Sequence, residues 1–448
     1  MLGIVLQASL AFVKILVTAI FFPPQNLIAS QRPYVWARTW ARLGHDVTVL
    51  TVEKDESAAD KLNKSFQGFQ VIQVPAGFVI RGLRRRRHEP QFLLDSPKAR
   101  DLNGPPWKLR LVSWLKRRGL ASSVRWPDAF DLVLPNAWRG LPSGHFDVIV
   151  SSFGPHASLA IGYWAKRKNS NAIWVLDFRD LWVGNHVYPG IWPFTILEGL
   201  LERFYVRRAD MIVTVSEALA NELRSRYPHK KILVSPNGFD PEEVANCPKL
   251  PSGFKNEYFT IVYTGSLHED QRNPEPLFES LTKLPPDLRS RIRVKFAGPI
   301  PEFLPPLVAK HGLDEVVEVL GKRPREESLR LQAEADVLLF LEKQHDESRD
   351  GVLTGKLFEY LVTGRPIWAV GVGKNSTVGI LLRESQAGVA FGTDVEAICR
   401  HIIATDFHQR LPTRSVEAPS DISHRFDRVM LARELLEAIS STETRNPV

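Results

Sequence analysis

The chain has 448 residues, is 44% hydrophobic and 24% charged, and carries a formal net charge of +8 with a pI near 9.4. That length and composition describe a globular protein of two or three domains and exclude wholesale disorder, collagen-like or heptad architecture and a multi-span membrane protein. Cys247 and Cys399 cannot build a disulfide framework and no C-x-x-C or H-E-x-x-H spacing offers a metal site, so a reducing cytosol is expected, with an anionic partner to match the basic pI. The first twenty residues, MLGIVLQASLAFVKILVTAI, are apolar but interrupted by Lys14 and lack an A-x-A-like cleavage site. Residues 14–20 read as a buried strand, leaving residues 1–12 as an extra anchor or an over-extended start.

Residues 30–43 predict a helix with Ser30 as N-cap, Pro33 in the first turn and Gly44 as C-cap. Strands follow at 46–51 (DVTVLT) and 71–75, then at 147–151 (DVIVS) before a helix over 157–167. Further strands fall at 172–176, before DFRDLW, at 210–215 (DMIVTV), before a helix starting at Ser216, and at 231–234, before Pro236-Asn237-Gly238. Repeated strand-turn-helix units with continuous apolar strands predict a parallel sheet covered on both faces. Residues 241–253, PEEVANCPKLPSG, break the rhythm and read as a linker. Strands then resume at 259–264 (FTIVYT), 293–297, 317–320, 336–341 and 367–370. The expected fold is α/β, with two Rossmann-like domains over 1–240 and 254–425 whose parallel sheets face a central cleft. In 426–448, Val429, Ala432, Leu436 and Ile439 share one face of a helix expected to pack back on the body.

No nucleophile elbow, P-loop or dinucleotide fingerprint is present; Gly371-Val372-Gly373 lacks the third glycine, which sets hydride transfer aside. The informative stretch runs from Gly355 to Ile367 (GKLFEYLVTGRPI). As a helix it puts Lys356, Glu359 and Tyr360 on one face. A lysine in the first turn, beside free backbone N–H groups, completes a diphosphate pocket, and a glutamate one turn later accepts ribose hydroxyls; alternatively the two form a solvated i, i+3 pair.

These segments, taken with KILVTAIFFPP, SQR, SSFGPHASLAIG, WVLDFRDLW, ADMIVTVSEAL, SPNGFD, YTGSL and ADVLLFL, resemble the retaining GT-B-fold glycosyltransferases of family four, in the bacterial polysaccharide and cell-envelope branch. The resemblance spans residues 14 to 437. It implies an acceptor site mainly in the first domain and a nucleotide-diphosphate-sugar site mainly in the second, with no cofactor and no metal held by a D-x-D pair. Glu359 matches the glutamate on the donor ribose, Lys356 a basic group close to the donor phosphates, with Gly355 beside it. Gly265 and Ser266 match the turn facing the diphosphate, and Leu320 to Arg323 the loop near the nucleobase. The sequence departs from the broader pattern at Gly351, where the first glutamate of E-x7-E would stand, with Asp350 and Glu347 nearby. It departs again at Ser266, which replaces an arginine, and Arg272 is a loose match for the lysine that commonly follows.

In the first domain, Asp177, Arg179 and Asp180 of DFRD are candidates to orient acceptor and donor sugar; Arg179 stands where many relatives have a histidine. Asp177 and Arg179 otherwise form a buried pair. His156, in GPHAS, contacts substrate or caps the helix after it. Residues 81–125 differ in kind: thirteen basic residues stand against Glu89, Asp95 and Asp101, with Trp107, Leu111, Trp114 and Leu115 forming an apolar seam in helical form. The rest of the chain is close to neutral. This basic insertion suits an anionic membrane surface better than nucleic acid, a solvated loop being the plain alternative. The expected protein is therefore a hexosyltransferase-type enzyme acting on a glycan or lipid-linked acceptor from the inner face of the plasma membrane. A catalytically weakened relative serving as a membrane-docked scaffold, and a sugar-nucleotide epimerase, are the alternatives.

Overall fold

The computed structural model describes residues 12–25, 28–54, 68–77, 118, 125–185, 189–242, 254, 256–267, 269, 272–342, 353–405 and 425–441. The chain divides into two compact units, one of Met1–Pro236 with Arg428–Val448 and one of Asn237–Asp427. Residues 1–11, all but Arg118 and Arg125 of the basic insertion, and 243–253 of the expected linker lie outside the described residues.

The first unit contains β1 (Lys14–Thr18), α1 (Ile28–Arg42), β2 (Asp46–Val52), β3 (Gln70–Val74), β4 (Val148–Ser152), α2 (Ala157–Lys168), β5 (Ile173–Phe178), α3 (Phe194–Arg208), β6 (Met211–Thr214), α4 (Glu217–Arg226) and β7 (Lys231–Val234). Its seven strands are ordered β3-β2-β1-β4-β5-β6-β7, and every pair is parallel. Strand side chains alternate between two cores: Leu16 packs with Ile149 and Leu176, while Ile15 and Val17 pack with Val49, Val150 and Trp40. Both faces are buried, which is why these strands read as continuous apolar runs rather than alternating ones.

The second unit contains β8 (Phe259–Thr264), α5 (Glu275–Thr282), β9 (Ile292–Ala297), α6 (Leu304–Lys310), β10 (Val317–Gly321), α7 (Arg325–Glu334), β11 (Val337–Leu341), α8 (Gly355–Val362), β12 (Ile367–Val370), α9 (Thr377–Glu384), β13 (Gly388–Gly392) and α10 (Val395–Ala404). Its order is β10-β9-β8-β11-β12-β13, again parallel throughout. Strand β13, GVAFG, is additional to the sequence expectation; its two glycines and single large side chain leave it without an apolar run.

Two helix ends differ from expectation. Helix α1 begins at Ile28, so Ser30 lies inside it and its Oγ donates to Gln25 O at 2.6 Å instead of capping; Pro33 is internal. The final helix α11 (Arg428–Ser440) belongs to the first unit. Trp40 Nε1 donates to Ala432 O at 2.8 Å, and Ala432, Leu435, Leu436 and Ile439 complete the core beneath α1. Val429 is only half-buried, and Leu435 takes its place on the packed stripe. Phe426, just before this helix, packs in the second unit, its ring 4.8 Å from that of Phe358.

Candidate functional site

In each sheet the strand order reverses beside the first strand of the unit, and open parallel sheets bind ligands outside the carboxyl ends of the strands at that point. In the second unit the reversal lies between β8 and β11. Strand β8 runs out into Gly265 with φ +126°, a conformation that disfavours any side chain; a Cβ there would also lie 2.5 Å from Lys356 Nζ and 2.9 Å from its Cε. The glycine thus leaves room for the ammonium to lie against the turn.

Lys356 is in the first turn of α8, whose N-cap Thr354 makes no side-chain cap bond. Its Nζ stands 3.9 Å from the centroid of the Tyr263 ring, is buried, and has no hydrogen-bond partner among the described residues. Burial, and then the positive charge of Arg272, push this lysine well below its ordinary range; Glu359 and Glu342 offset this only in part. A buried ammonium without a bonded anion is costly unless something supplies one. The turn beneath it is held firmly. Tyr263 Oη donates to Ser266 O at 2.7 Å, Thr264 N donates to Tyr360 Oη at 2.9 Å, and Gln332 Nε2 donates to Thr264 Oγ1 at 2.9 Å. Burial raises both phenols, keeping them neutral.

Glu359 does not pair with Lys356. Its Oε2 accepts from Arg325 Nη1 at 2.9 Å, so the solvated i, i+3 pair is replaced by a contact from α7. The structure therefore brings together Gly265, Ser266, Gly355, Lys356 and Glu359, with the charge of Arg272 felt at the lysine. Arg323 is exposed and occupied with Glu327 at 3.3 Å. Gly351, Asp350 and Glu347 lie outside the described residues.

In the first unit the reversal lies between β1 and β4. Asp177, near the end of β5, is fully buried; its Oδ1 accepts from Arg32 Nε at 3.1 Å and its Oδ2 from Ser152 Oγ at 3.0 Å. The expected Asp177–Arg179 pair is thus corrected: the cation on Asp177 is Arg32, of the SQR segment. Arg32 Nη1 also donates to Pro236 O at 3.0 Å, and its guanidinium lies 4.7 Å from the Trp36 ring centroid. Burial depresses the Arg32 pKa, Asp177 raises it, and the nearby Arg179 lowers it. Arg179 Nη2 instead donates to Phe153 O at 2.8 Å and Gly154 O at 3.3 Å, and Asp180 is exposed.

His156 occupies the N-cap position of α2 without capping it, and both ring nitrogens are occupied in the core. Nδ1 lies 2.7 Å from Asp131 Oδ1 and Nε2 lies 2.9 Å from Tyr205 Oη. The imidazole is turned inward among Trp126, Trp182 and Tyr205, where neither nitrogen is free for a substrate. Close by, burial pushes the Asp128 carboxyl up to about 7. Arg32 is the residue sequence reasoning missed as a partner; its signal was the SQR segment just after β1. Among the described residues no group of three or more His, Cys, Asp or Glu side chains could hold a metal ion.

Residues 76–243 match the family Glycosyltransferase Family 4. No curated protein matches the chain. Among solved structures it is similar to Anabaena HepE in complex with UDP (15% identity over 96% of this chain and 100% of that one, TM-score 0.56). It is similar also to WaaG, a glycosyltransferase involved in lipopolysaccharide biosynthesis (15%, 96% and 98%, TM-score 0.50). A putative UDP-N-acetylglucosamine 2-epimerase from Listeria monocytogenes shares the fold as well (11%, 98% and 98%, TM-score 0.51). Such identities establish the two-domain GT-B fold rather than the reaction, and a Glycosyltransferase Family 4 domain carried on that fold supports an enzyme of the glycosyltransferase class.

Proposed function

We propose that the protein transfers a sugar, with retention, from a nucleoside-diphosphate sugar to a glycan or lipid-linked envelope acceptor, working from the inner face of the plasma membrane. The observation that carries the donor assignment is the buried, unpartnered Nζ of Lys356 over the Gly265 turn. A donor diphosphate supplies the anion this ammonium lacks. As the sugar–phosphate bond breaks, negative charge grows on the diphosphate, and a preorganised cation in a dry pocket stabilises that change more than it stabilises the bound ground state. Arg272 adds to the positive field. The Oε1 of Glu359, which takes no bond from the described residues while Oε2 is held by Arg325, is available for ribose hydroxyls. On the acceptor side, Arg179 and the exposed Asp180 are the candidates to orient the reacting sugars, and His156 is assigned to holding the β4–α2 loop. The basic insertion 81–125 supplies the attraction to an anionic bilayer. HepE with bound UDP and WaaG, glycosyltransferase of a lipopolysaccharide pathway, are fold relatives whose ligands and role agree with this reading.

Nucleoside-diphosphate sugars screened by thermal shift should include one that stabilises the wild type, and Lys356→Ala and Glu359→Ala should both cut its turnover by orders of magnitude without unfolding the protein. Near-normal turnover in both variants would remove the donor-site assignment. Ser266 and Gly351, at positions where the broader family has Arg and Glu, motivate a second reading as a weakened relative acting as a scaffold; stabilisation by a donor with neither transfer nor hydrolysis of it would select that reading. Conversion of the donor to its epimer without transfer would select an epimerase.

A further inference from the structure

Helix α3 buries Tyr205 and Val206 towards its end, but over its earlier turns it buries two glutamates and leaves Ile and Leu side chains outside. Of its residues, Glu198 and Glu202 are 1% exposed, whereas Ile196 is 55% and Leu200 57% exposed, and Trp192, two residues before the helix, is 77% exposed. The register is imposed by the glutamates. Glu198 accepts from Arg125 Nη1 at 2.7 Å and from the Trp126 backbone N–H at 2.8 Å. Glu202 accepts from the Val183 N–H and Tyr227 Oη, each at 2.8 Å, and from Arg226 Nη1 at 3.3 Å. Turning the helix to bury its leucines would strip all of these bonds from two buried carboxylates. The outward face is therefore specified by the structure, and among the described residues its apolar row has no covering partner.

The same face is positively charged. Ile196, Leu200, Arg203 and Arg207 follow one another at helical spacing along it, Arg208 is exposed beside them, and the only acidic residues of α3 are the two buried ones. The two described residues of the basic stretch, Arg118 and Arg125, both meet this part of the chain: Gly190 N donates to Arg118 O at 3.0 Å, and Arg125 is the partner of Glu198. Exposed Trp, Ile and Leu followed by arginines match the chemistry of an anionic lipid surface: hydrocarbon below, phosphate at the level of the cations. No described helix is long and apolar enough to cross a membrane, and α3 itself is 15 residues long.

We propose that the outer face of α3, together with Trp192, is the surface by which the protein seats itself in the headgroup boundary of an anionic bilayer. It is a surface distinct from the insertion, and it takes from the functional reading above only the class of partner. The test is co-sedimentation of the full chain with phosphatidylcholine vesicles and with vesicles containing about one-third phosphatidylglycerol. The wild type should bind the anionic vesicles selectively. Ile196→Glu/Leu200→Glu should lose about tenfold or more of that binding, and Arg203→Glu/Arg207→Glu should lose binding and its salt dependence together. Stabilisation by UDP, read in the same preparations, should be unchanged in both variants; its absence in the wild type would count against the donor site and leave the lipid result standing. Equal binding to both vesicle types, none to either, or wild-type binding by Ile196→Glu/Leu200→Glu with a native circular dichroism spectrum would overturn the proposal. So would a dimer in sedimentation velocity that the same variant dissociates, since a second copy would then be what covers the face.

Discussion

Each unit ends its parallel sheet in a buried cation, and the two cations are treated in opposite ways. Arg32 in the first unit is given a fully buried carboxylate, Asp177, at 3.1 Å, and that carboxylate is itself completed by Ser152. Lys356 in the second unit is given an aromatic face and a glycine turn, but no bonded anion among the described residues. One buried cation beside a parallel sheet is thus locked by a carboxylate, while the other has no bonded carboxylate among the described residues. Position at a strand end nominates a group; whether the protein has already neutralised that group decides if an external ligand is called for.

The largest expected effect would break the first half of that contrast. Arg32→Ala leaves Asp177 buried and uncompensated, and should cost about 3–5 kcal/mol of stability, read by chemical denaturation; a loss under 1 kcal/mol would mean the pair is not a lock. Lys356→Ala should do the converse. It should lower transfer by about two to three orders of magnitude, roughly 3–4 kcal/mol on the barrier, while the melting temperature stays level or rises.

A finer test uses pH. Lys356 is depressed in the folded protein, so below its folded pKa the chain bears the cost of a buried ammonium, and stability rises as pH climbs from there towards the ordinary lysine value of 10.5. A diphosphate bound against it would reverse the depression. UDP binding should therefore take up protons, visible as buffer-dependent calorimetric heats, and its affinity should fall as pH rises through a range below that of a free lysine; Lys356→Met should abolish both. The smallest effect concerns Asp128, raised from 3.8 to about 7. The folded state holds a proton that the unfolded state has released, so stability is lost as pH rises through that window. Asp128→Asn should gain about 1–2 kcal/mol at pH 8 and almost nothing at pH 4; an equal gain at both would mean the site does not titrate there.

Much of the fold was readable because parallel strands buried on both faces print as unbroken apolar runs, as FTIVYT and VLLFL do. Strand β13 escaped because glycine and alanine make up most of it. The proximity of Lys356 and Glu359 was readable because both lie on one short helix, where spacing converts directly to geometry. Asp177 was harder: its neighbour two residues on was the obvious partner, whereas the actual one is 145 positions away, a separation that no local pattern encodes. The burial of Glu198 and Glu202 in α3 was equally hidden, since periodicity assigns glutamates to water, and only the bonds to Arg125, Val183 and Tyr227 reverse that assignment.

The point where the chain enters and leaves the second unit has its own consequence. Phe239 N donates to Phe426 O at 3.0 Å, Phe239 and Asp427 form a parallel bridge, and Gly238 is glycine where any side chain would strike the Phe426 carbonyl. The two ends of residues 237–427 are therefore fastened to each other, and α11 resumes the first unit's core directly afterwards. In genetic terms the second unit is a cassette with a closed seam. Such a cassette can be exchanged for another whose ends meet in the same way, while the first unit keeps its sequence unchanged.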